Sequence, residues 1–392
     1  MISTKLKPFG TTIFAEMTKL AQQHGAINLA QGFPDFDGPL EIIDWAEEAM
    51  RGGQNQYARS MGHPDLVLAI AATLKRDYAL EYDPMTEIGV FCGATEGIAS
   101  SLLGLLNPGD EVILFEPFYD SYPACVAMAG AVPRFCTLHF PEFEVPMEEL
   151  RALFTDKTRL LVINNPHNPS GKVFRREELE AIAGLCIEHD VPVVCDEVYE
   201  HLVYDDARQV PMASIPGMKE RTLRISSSGK TYSYTGWKIG WASGPAPMVA
   251  AAQAAHQFIT FAVATPFQVA MARALTRLGP DFHRRLRSEY SERRIFLLEV
   301  LRRCGLRVAV PRGAYFVLAD FTPIFSGTDM DFARFLASEI GVAAIPPSVF
   351  YKSHPEEGQQ LVRFAFCKRM ETLKEAAQRM QKLERHAAKA RR

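Results

Sequence analysis

The sequence predicts an α/β protein, with a large domain built on a parallel sheet between helices and a smaller α+β domain. Two observations lead to this prediction. Short, almost wholly apolar segments alternate with helical patterns through the middle of the chain, as the strands of a parallel sheet buried on both faces do. In the last third, strands are fewer and helices carry more charge, which is typical of an α+β unit.

The elements in the middle of the chain follow from hydrophobic periodicity and turn residues. Leu66, Ile70 and Leu74 recur at a spacing of four and predict a helix over residues 65–78. Two further helical patterns cover residues 98–106 and 177–189. Short apolar runs that end at polar or turn residues predict strands over residues 87–92, 111–115, 159–163, 191–195 and 222–226.

The last third opens with a long, charged helical pattern over residues 282–303. Strands are predicted over residues 313–320 and 361–366, and a helix over residues 331–339 stops before Gly341. The length of 392 residues suits two or three domains.

The composition argues against several classes of function. The formal net charge is -3, so no basic excess indicates a nucleic-acid partner. No run of about 20 apolar residues is present, so no membrane-spanning segment is predicted. The seven cysteines show neither CxxC pairs nor a zinc-like spacing with histidine. We therefore expect a cytoplasmic protein with reduced cysteines and no metal, nucleic-acid or membrane partner.

Ligands of open α/β sheets lie at the carboxyl ends of the strands, so the residues that follow each strand are candidates for a site. The segment from Gly93 to Gly97 follows the first strand and opens a helix. Free N–H groups there suit a phosphate, or the segment is an ordinary turn. Asn168 lies between two prolines after the third strand, in a rigid polar loop that is either a site or a structural turn.

Three further candidates are charged. Asp196 directly follows the fourth strand, and its carboxylate either caps a helix or faces a cationic ligand atom. Lys230 follows the last of these strands, but GxxxxGK[ST] fails because Arg224 stands where a phosphate loop needs Gly. Lys230 is therefore a surface lysine or a Schiff-base nucleophile. Lys238 lies between two tryptophans, on which its stem can pack.

Asn168, Asp196, Tyr199, Lys230 and Lys238 follow one another at successive strand ends. Together they resemble the pyridoxal-phosphate-dependent aminotransferases of fold type I, in the kynurenine aminotransferase branch and nearest to the bacterial methionine aminotransferases. The resemblance covers nearly the whole chain. It rests on NLAQGFPDF at 28–36, NQY at 55–57, EPFYD at 116–120, NPHNPSG at 165–171, DEVY at 196–199, SSGKT at 227–231, TGWKIG at 235–240, GVAAIP at 341–346 and RF at 363–364.

The resemblance implies a seven-stranded, mostly parallel sheet in a large domain of residues 42–285, and a small domain formed by residues 1–41 and 286–392. It implies the cofactor pyridoxal 5'-phosphate and a homodimer with shared active sites. The implied substrates are amino acids and 2-oxo acids.

The same resemblance assigns roles within the site. Lys230 would form the aldimine and move a proton, Asp196 would face the pyridinium nitrogen, and Phe118 would stack on the ring. The other implied cofactor contacts are those of Ala94, Thr95, Asn168, Tyr199, Ser227, Lys238 and, from the neighbouring subunit, Tyr57. The implied substrate contacts are those of Gly32, Asn168 and Arg363, with Arg363 on the α-carboxylate.

These roles predict a ping-pong aminotransferase for methionine, aromatic or kynurenine-type amino acids. The resemblance places five aromatic residues around the substrate, namely Phe14, Phe33, Tyr119, Tyr232 and Tyr234. The pair Thr95-Glu96 departs from the kynurenine enzymes, which have an aromatic residue there, and agrees better with the methionine branch. Two alternatives stay open: a β-lyase for cysteine S-conjugates or cystathionine, and a non-catalytic regulator with the same fold.

Overall fold

The structure, a computed structural model, describes residues 2–10 and 12–390. Within them the strands are, in chain order, β1 Ile27–Asn28, β2 Ile88–Cys92, β3 Glu111–Glu116, β4 Val132–Thr137, β5 Thr158–Asn164, β6 Val193–Asp196, β7 Thr222–Ser227, β8 Ile239–Ser243, β9 Arg307–Val308, β10 Phe316–Asp320, β11 Val342–Ala343 and β12 Leu361–Ala365. The helices are α1 Ile13–His24, α2 Leu40–Arg51, α3 Pro64–Tyr78, α4 Gly93–Leu105, α5 Ser121–Ala129, α6 Met147–Ala152, α7 Arg176–Glu188, α8 Ser228–Thr231, α9 Ala246–Ile259, α10 Thr265–Arg277, α11 Pro280–Arg303, α12 Asp329–Phe335 and α13 Met370–Ala390.

A seven-stranded sheet forms the centre of the described chain, in the order β2-β8-β7-β6-β5-β3-β4. Neighbouring strands are parallel except at β8, which runs antiparallel to both β2 and β7. This confirms the predicted α/β fold with a mostly parallel, seven-stranded sheet. Asn164 on β5 lies opposite Asp196 on β6 at the same edge of the sheet.

Apolar side chains cover both faces of this sheet. On β3, Val112 and Leu114 pack in the cluster that includes α4 and α5. Ile113 and Phe115, on the same strand, pack on the opposite face with residues of α7. Because successive side chains of a strand point to opposite faces, a strand covered on both sides needs an unbroken apolar run.

The two terminal segments of the chain join in a second unit. β1 pairs in parallel with β11, and β10 pairs antiparallel with both β9 and β12. Apolar residues of these strands share one cluster with α11 and α13. Helix α11 begins at Pro280 and ends at Arg303, so it continues through the predicted boundary at residue 285. The domain boundaries themselves stay a prediction.

Two strands of the central sheet, β4 and β8, are absent from the sequence prediction. β4 lies at the edge, alternates between exposed and half-buried residues over its first half, and contains Pro133. An edge strand tolerates the missing proline N–H, but the apolar run that marks a buried strand is lost. β8 contains Gly240, a residue type that is depleted in strands, and Ser243, a residue type that is not typical of them.

The predicted helix over residues 331–339 begins earlier, at Asp329, because Thr328 caps it. Its last turn, Leu336–Ile340, is a π-helix that ends at Gly341, as predicted. None of the helices in the described residues combines the length and the apolar content of a membrane-spanning segment.

Candidate active site

A cavity of about 300 Å³ opens at the carboxyl ends of β5, β6 and β7, beside the start of α4. Its walls come from the central sheet and from both terminal segments of the chain. The predicted site residues that line it are Gly32, Ala94, Thr95, Asn168, Asp196, Tyr199, Ser227, Lys230, Lys238 and Arg363. The fold therefore brings most of the predicted site into one concave space.

Lys230 lies in the one-turn helix α8, directly after β7. Its Nζ atom is 3.4 Å from the carbonyl oxygen of Gly32 and lies beside the rings of Tyr199 and Tyr315. Burial lowers the pKa of Lys230 from 10.5 to about 8, although Asp196 acts in the opposite direction. A lysine with this pKa is partly a neutral amine near pH 7, and the neutral amine is the nucleophilic form.

Asp196 ends β6 as a buried carboxylate at the edge of the core. Its Oδ2 atom accepts a hydrogen bond of 2.7 Å from the hydroxyl of Tyr122, and Oδ1 accepts one of 3.2 Å from the backbone N–H of Val198. Burial raises the pKa of Asp196, since a carboxylate loses solvation there. A cationic ring nitrogen would restore a charge partner to this group, so the site fits a pyridinium.

The opposite end of the cavity is suited to an anion. α4 begins directly after β2, so the N–H groups of Ala94 and Thr95 lie in its first turn. A Cβ atom built on Gly93 would be 2.9 Å from Nζ of Lys238, which shows that the ammonium lies against the helix start. Within the described chain Lys238 forms no ion pair. Ser227 completes this end of the lining, which fits a phosphate group.

Tyr199 stands edge-on to Tyr315, with ring centroids 5.0 Å apart. Burial raises the pKa of Tyr199 well above 10, so its hydroxyl stays protonated and can donate a hydrogen bond. Tyr199 thus offers a donor on the same side of the cavity as Lys230.

Arg363 lies on β12 and is 1% exposed. Its Nη1 atom donates to Oδ1 of Asn168 at 3.1 Å, and Nη2 donates to the carbonyl oxygen of Ala30 at 3.0 Å. In the described residues no carboxylate forms an ion pair with it, and its buried Nε has no hydrogen-bond partner. Burial lowers the pKa of Arg363 to about 10. A buried guanidinium with a free N–H is ready to receive an anionic ligand.

Three aromatic rings surround this guanidinium. Its central carbon is 4.3 Å from the ring centroid of Phe316, and 5.2 Å from those of Phe14 and Phe350. These cation–π contacts hold Arg363 in place without neutralising its charge.

Gly32 takes part through its backbone. Its carbonyl oxygen accepts hydrogen bonds from the hydroxyl of Tyr315 at 2.6 Å and from Lys230. A Cβ atom at this position would be 2.8 Å from the ring of Phe316. A larger residue at position 32 would therefore displace Phe316 or the backbone.

One predicted contact needs correction because the structure does not bring the side chain of Phe118 into the cavity. Phe118 is buried behind the lining and packs on Phe135, with ring centroids 5.5 Å apart. Its chain neighbour Tyr119 lines the cavity instead, since successive side chains after β3 point in different directions. Tyr57 lies outside this cavity, 81% exposed, and packs edge-on to Phe261. Its contact with the phosphate of a neighbouring subunit stays a prediction.

The predicted aromatic wall is only partly present. Phe14, Phe33 and Tyr119 line the cavity, whereas Tyr232 and Tyr234 are buried in the core that includes α2 and α3.

Several lining residues were missed from the sequence. Tyr122 and Phe316 contact the groups described above but carry no recognisable signal of their own.

Comparison with known proteins gives a consistent result over the whole chain. Residues 24–380 match the family model described as Aminotransferase class I and II. A probable N-succinyldiaminopimelate aminotransferase of Mycobacterium tuberculosis is 45% identical, with 97% of this chain and 98% of the relative covered. The methionine aminotransferase of Escherichia coli is 40% identical, with 97% and 98% covered.

Solved structures agree with these relatives. The structure of the Mycobacterium tuberculosis enzyme superimposes with a TM-score of 0.95, and 98% of this chain and 100% of that chain are covered. An Escherichia coli protein whose structure identified a methionine aminotransferase function gives a TM-score of 0.93 at 39% identity, with 97% and 99% covered.

Proposed function

Since the chain belongs to the class I and II aminotransferases, enzymes that use pyridoxal 5'-phosphate, we propose that it moves the amino group of a methionine-like, aromatic or kynurenine-type amino acid to a 2-oxo acid. The distribution of charge in the cavity carries this proposal. The cations of its described lining are Lys230, Lys238 and Arg363, and each has a role in binding the cofactor or the α-carboxylate. Beyond them stand the rings of Phe14 and Phe33, which suit an uncharged side chain.

The cofactor would be held by groups from successive strand ends. Lys238 and the first turn of α4 would bind the phosphate, Asp196 would hold the proton on the ring nitrogen, and Tyr119 would contact the ring, since all of them line the cavity. The hydroxyl of Tyr199 and the amide NH2 group of Asn168 would donate to the phenolic oxygen. When bound, pyridoxal phosphate supplies an electron sink that stabilises negative charge at the substrate Cα. The further phosphate contacts are those of Ala94, Thr95 and Ser227.

Two residues act directly on the amino acid. Arg363 binds the α-carboxylate through its free Nε–H and its Nη groups, which places Cα near Lys230. Nζ of Lys230 accepts the proton from Cα and later returns it, because burial leaves part of this amine neutral near pH 7. The same proton transfer serves the two half-reactions of a ping-pong cycle.

The test is a half-reaction screen. The visible absorbance of the holoenzyme is followed after mixing with one amino acid and no 2-oxo acid. We expect methionine, phenylalanine and kynurenine to discharge it at least about tenfold faster than aspartate, because a second carboxylate would be buried without a cation. Aspartate as the fastest donor would contradict the proposal.

A second substrate class is favoured by the name of the Mycobacterium tuberculosis relative, N-succinyldiaminopimelate. The succinyl group of that compound carries a carboxylate far from the reacting amine, which needs its own cation or donors. The described lining offers no fourth cation for it. We therefore place this compound second, and its inclusion in the screen decides between the two classes.

The β-lyase alternative is tested with the same enzyme. A cysteine S-conjugate that yields pyruvate in the absence of any 2-oxo acid would demonstrate this activity beside transamination.

We further propose a homodimer in which Tyr57 reaches the phosphate in the neighbouring subunit. The 81% exposure of Tyr57 supports this, since a side chain outside its own cavity is free to enter another. A cytoplasmic location is proposed as well, in keeping with seven cysteines that are all free thiols.

A further inference from the structure

The carboxylate of Glu116 lies at the end of β3 and is fully buried. It accepts five hydrogen bonds, from the hydroxyls of Thr137 and Ser353 and from the backbone N–H groups of Lys352, Ser353 and His354. In the described chain no cationic side chain forms an ion pair with it. Three consecutive N–H groups on one anion form a backbone nest, here filled by a side chain of the same protein.

These bonds join two segments that are far apart in sequence. Thr137 belongs to the same sheet as Glu116, whereas residues 352–354 lie in the C-terminal part of the chain. A further bond of 2.8 Å, from the N–H of Phe118 to the carbonyl oxygen of Phe350, runs beside them. We call this set of bonds between residues 116–118 and 350–354 the Glu116 clamp.

Both sides of the Glu116 clamp lead into the cavity. Tyr119, on one side, lines it directly. Phe350, on the other, is one of the three rings that surround the guanidinium of Arg363. Ile345, a little earlier in that segment, is bonded to the backbone of Arg363 itself. The clamp therefore connects the part of the cavity lining that contains Tyr119 with the segment that holds Arg363.

We propose that Glu116 is a positioning residue. Through the clamp, it holds Arg363 and the three aromatic rings around it at the distance from Tyr119 that the binding of an α-carboxylate requires. This rests on the role proposed above for Arg363. If either the carboxylate of Glu116 or its hydrogen-bond donors were removed, residues 350–354 would be free to shift. The binding of the amino acid would suffer first, because Phe350 of the clamp contacts the guanidinium of Arg363 directly, whereas the hydrogen bonds of the clamp involve none of the proposed cofactor ligands Lys230, Asp196 and Lys238.

The test uses two matched variants of the holoenzyme. Ser353→Ala and Thr137→Val each delete one hydroxyl that donates to Oε1 of Glu116. Only Ser353 belongs to the segment that carries Phe350. We expect Ser353→Ala to raise KM for the amino donor about fivefold, with kcat and the cofactor absorbance unchanged, and Thr137→Val to leave KM within about twofold. Glu116→Ala should raise KM by at least about tenfold.

The outcomes separate this proposal from the one on which it rests. Equal effects of Ser353→Ala and Thr137→Val, or a parallel loss of kcat and cofactor affinity, would assign Glu116 a general structural role and overturn the proposal. Arg363→Lys is measured in parallel. If Arg363→Lys raises KM while Ser353→Ala does not, only the clamp fails. If Arg363→Lys leaves KM unchanged, the carboxylate receptor itself is wrong and the clamp falls with it.

Discussion

Lys230 shows how strongly its surroundings change the chemistry of one side chain. Burial lowers its pKa from 10.5 to about 8. At pH 7.5 roughly a quarter of such amines are neutral, against about one in a thousand for an ordinary lysine. The neutral form is the one that can attack a carbonyl carbon or take a proton from Cα. The cavity therefore activates Lys230 before any ligand contributes.

This leads to a pH-dependent prediction for the cofactor-free protein. Acylation requires the neutral amine, so the labelling rate of Lys230 should rise with pH and level off above about 8. Lys75 is the internal control, because its hydrogen bond to Glu81 raises its pKa above 10.5. Mass spectrometry of the two labelled peptides gives both profiles. The measurements run from about pH 6 to about pH 11, which covers the pKa values of exposed and buried lysines. A midpoint for Lys230 at or above that of Lys75 would contradict the activation by burial.

At the scale of single elements, β7 is held by charge as well as by apolar packing. Arg224, in the middle of this strand, is 1% exposed. It donates to Glu197 at 2.6 Å and forms an ion pair with Glu200. Both acids lie in the segment that carries Asp196 and Tyr199. The same network thus joins the strand leading to Lys230 with a segment that lines the cavity.

We predict that Arg224→Met destabilises the protein by about 3–5 kcal/mol, since two buried carboxylates would lose their cation. The measurement is the free energy of unfolding from urea denaturation. Arg221→Met is a matched control three residues earlier, because Arg221 pairs with Asp190, a residue whose side chain is 92% exposed. Its loss should cost less than about 1 kcal/mol. Similar small changes in both variants would show that the buried network contributes little.

At the scale of the whole molecule, the surface around Tyr57 is unusually apolar. Phe258 is 90% exposed, Ile259 54% and Phe261 45%, and Phe261 packs on Tyr57. Neighbouring apolar side chains that stay exposed on one chain indicate a contact with another chain. This patch is where we expect the second subunit to bind.

A shared active site predicts complementation between inactive subunits. In the homodimer proposed above, Lys230→Ala and Tyr57→Ala would each damage every site. A mixed dimer recovers one intact site, in which Lys230 comes from one subunit and Tyr57 from the other. Random reassortment of equal amounts should therefore restore about a quarter of the native activity, measured as turnover of the best amino donor. The absence of any recovery, with mixed dimers verified by native mass spectrometry, would show that each site is complete within one chain.

The sequence by itself predicted three side chains that the structure brings together in the cavity. Asn168, Asp196 and Lys230 each follow an apolar strand, and the carboxyl ends of parallel strands meet at one edge of a sheet. Local pattern and chain order identify these residues as candidates, and the resemblance to a known family then implies their roles. Edge strand β4 and the glycine-containing β8 escaped prediction because neither carries an unbroken apolar run.

Only the tertiary structure decided where the remaining contacts fall. Phe118 packs in the core, whereas Tyr119 lines the cavity, and the hydroxyl of Tyr122 donates a hydrogen bond to Asp196. It also joined Glu116 to Ser353, two residues whose partnership nothing in the local sequence predicts. The physical reason is that side-chain direction and long-range hydrogen bonding depend on how whole elements pack, and packing is not a property of any single segment.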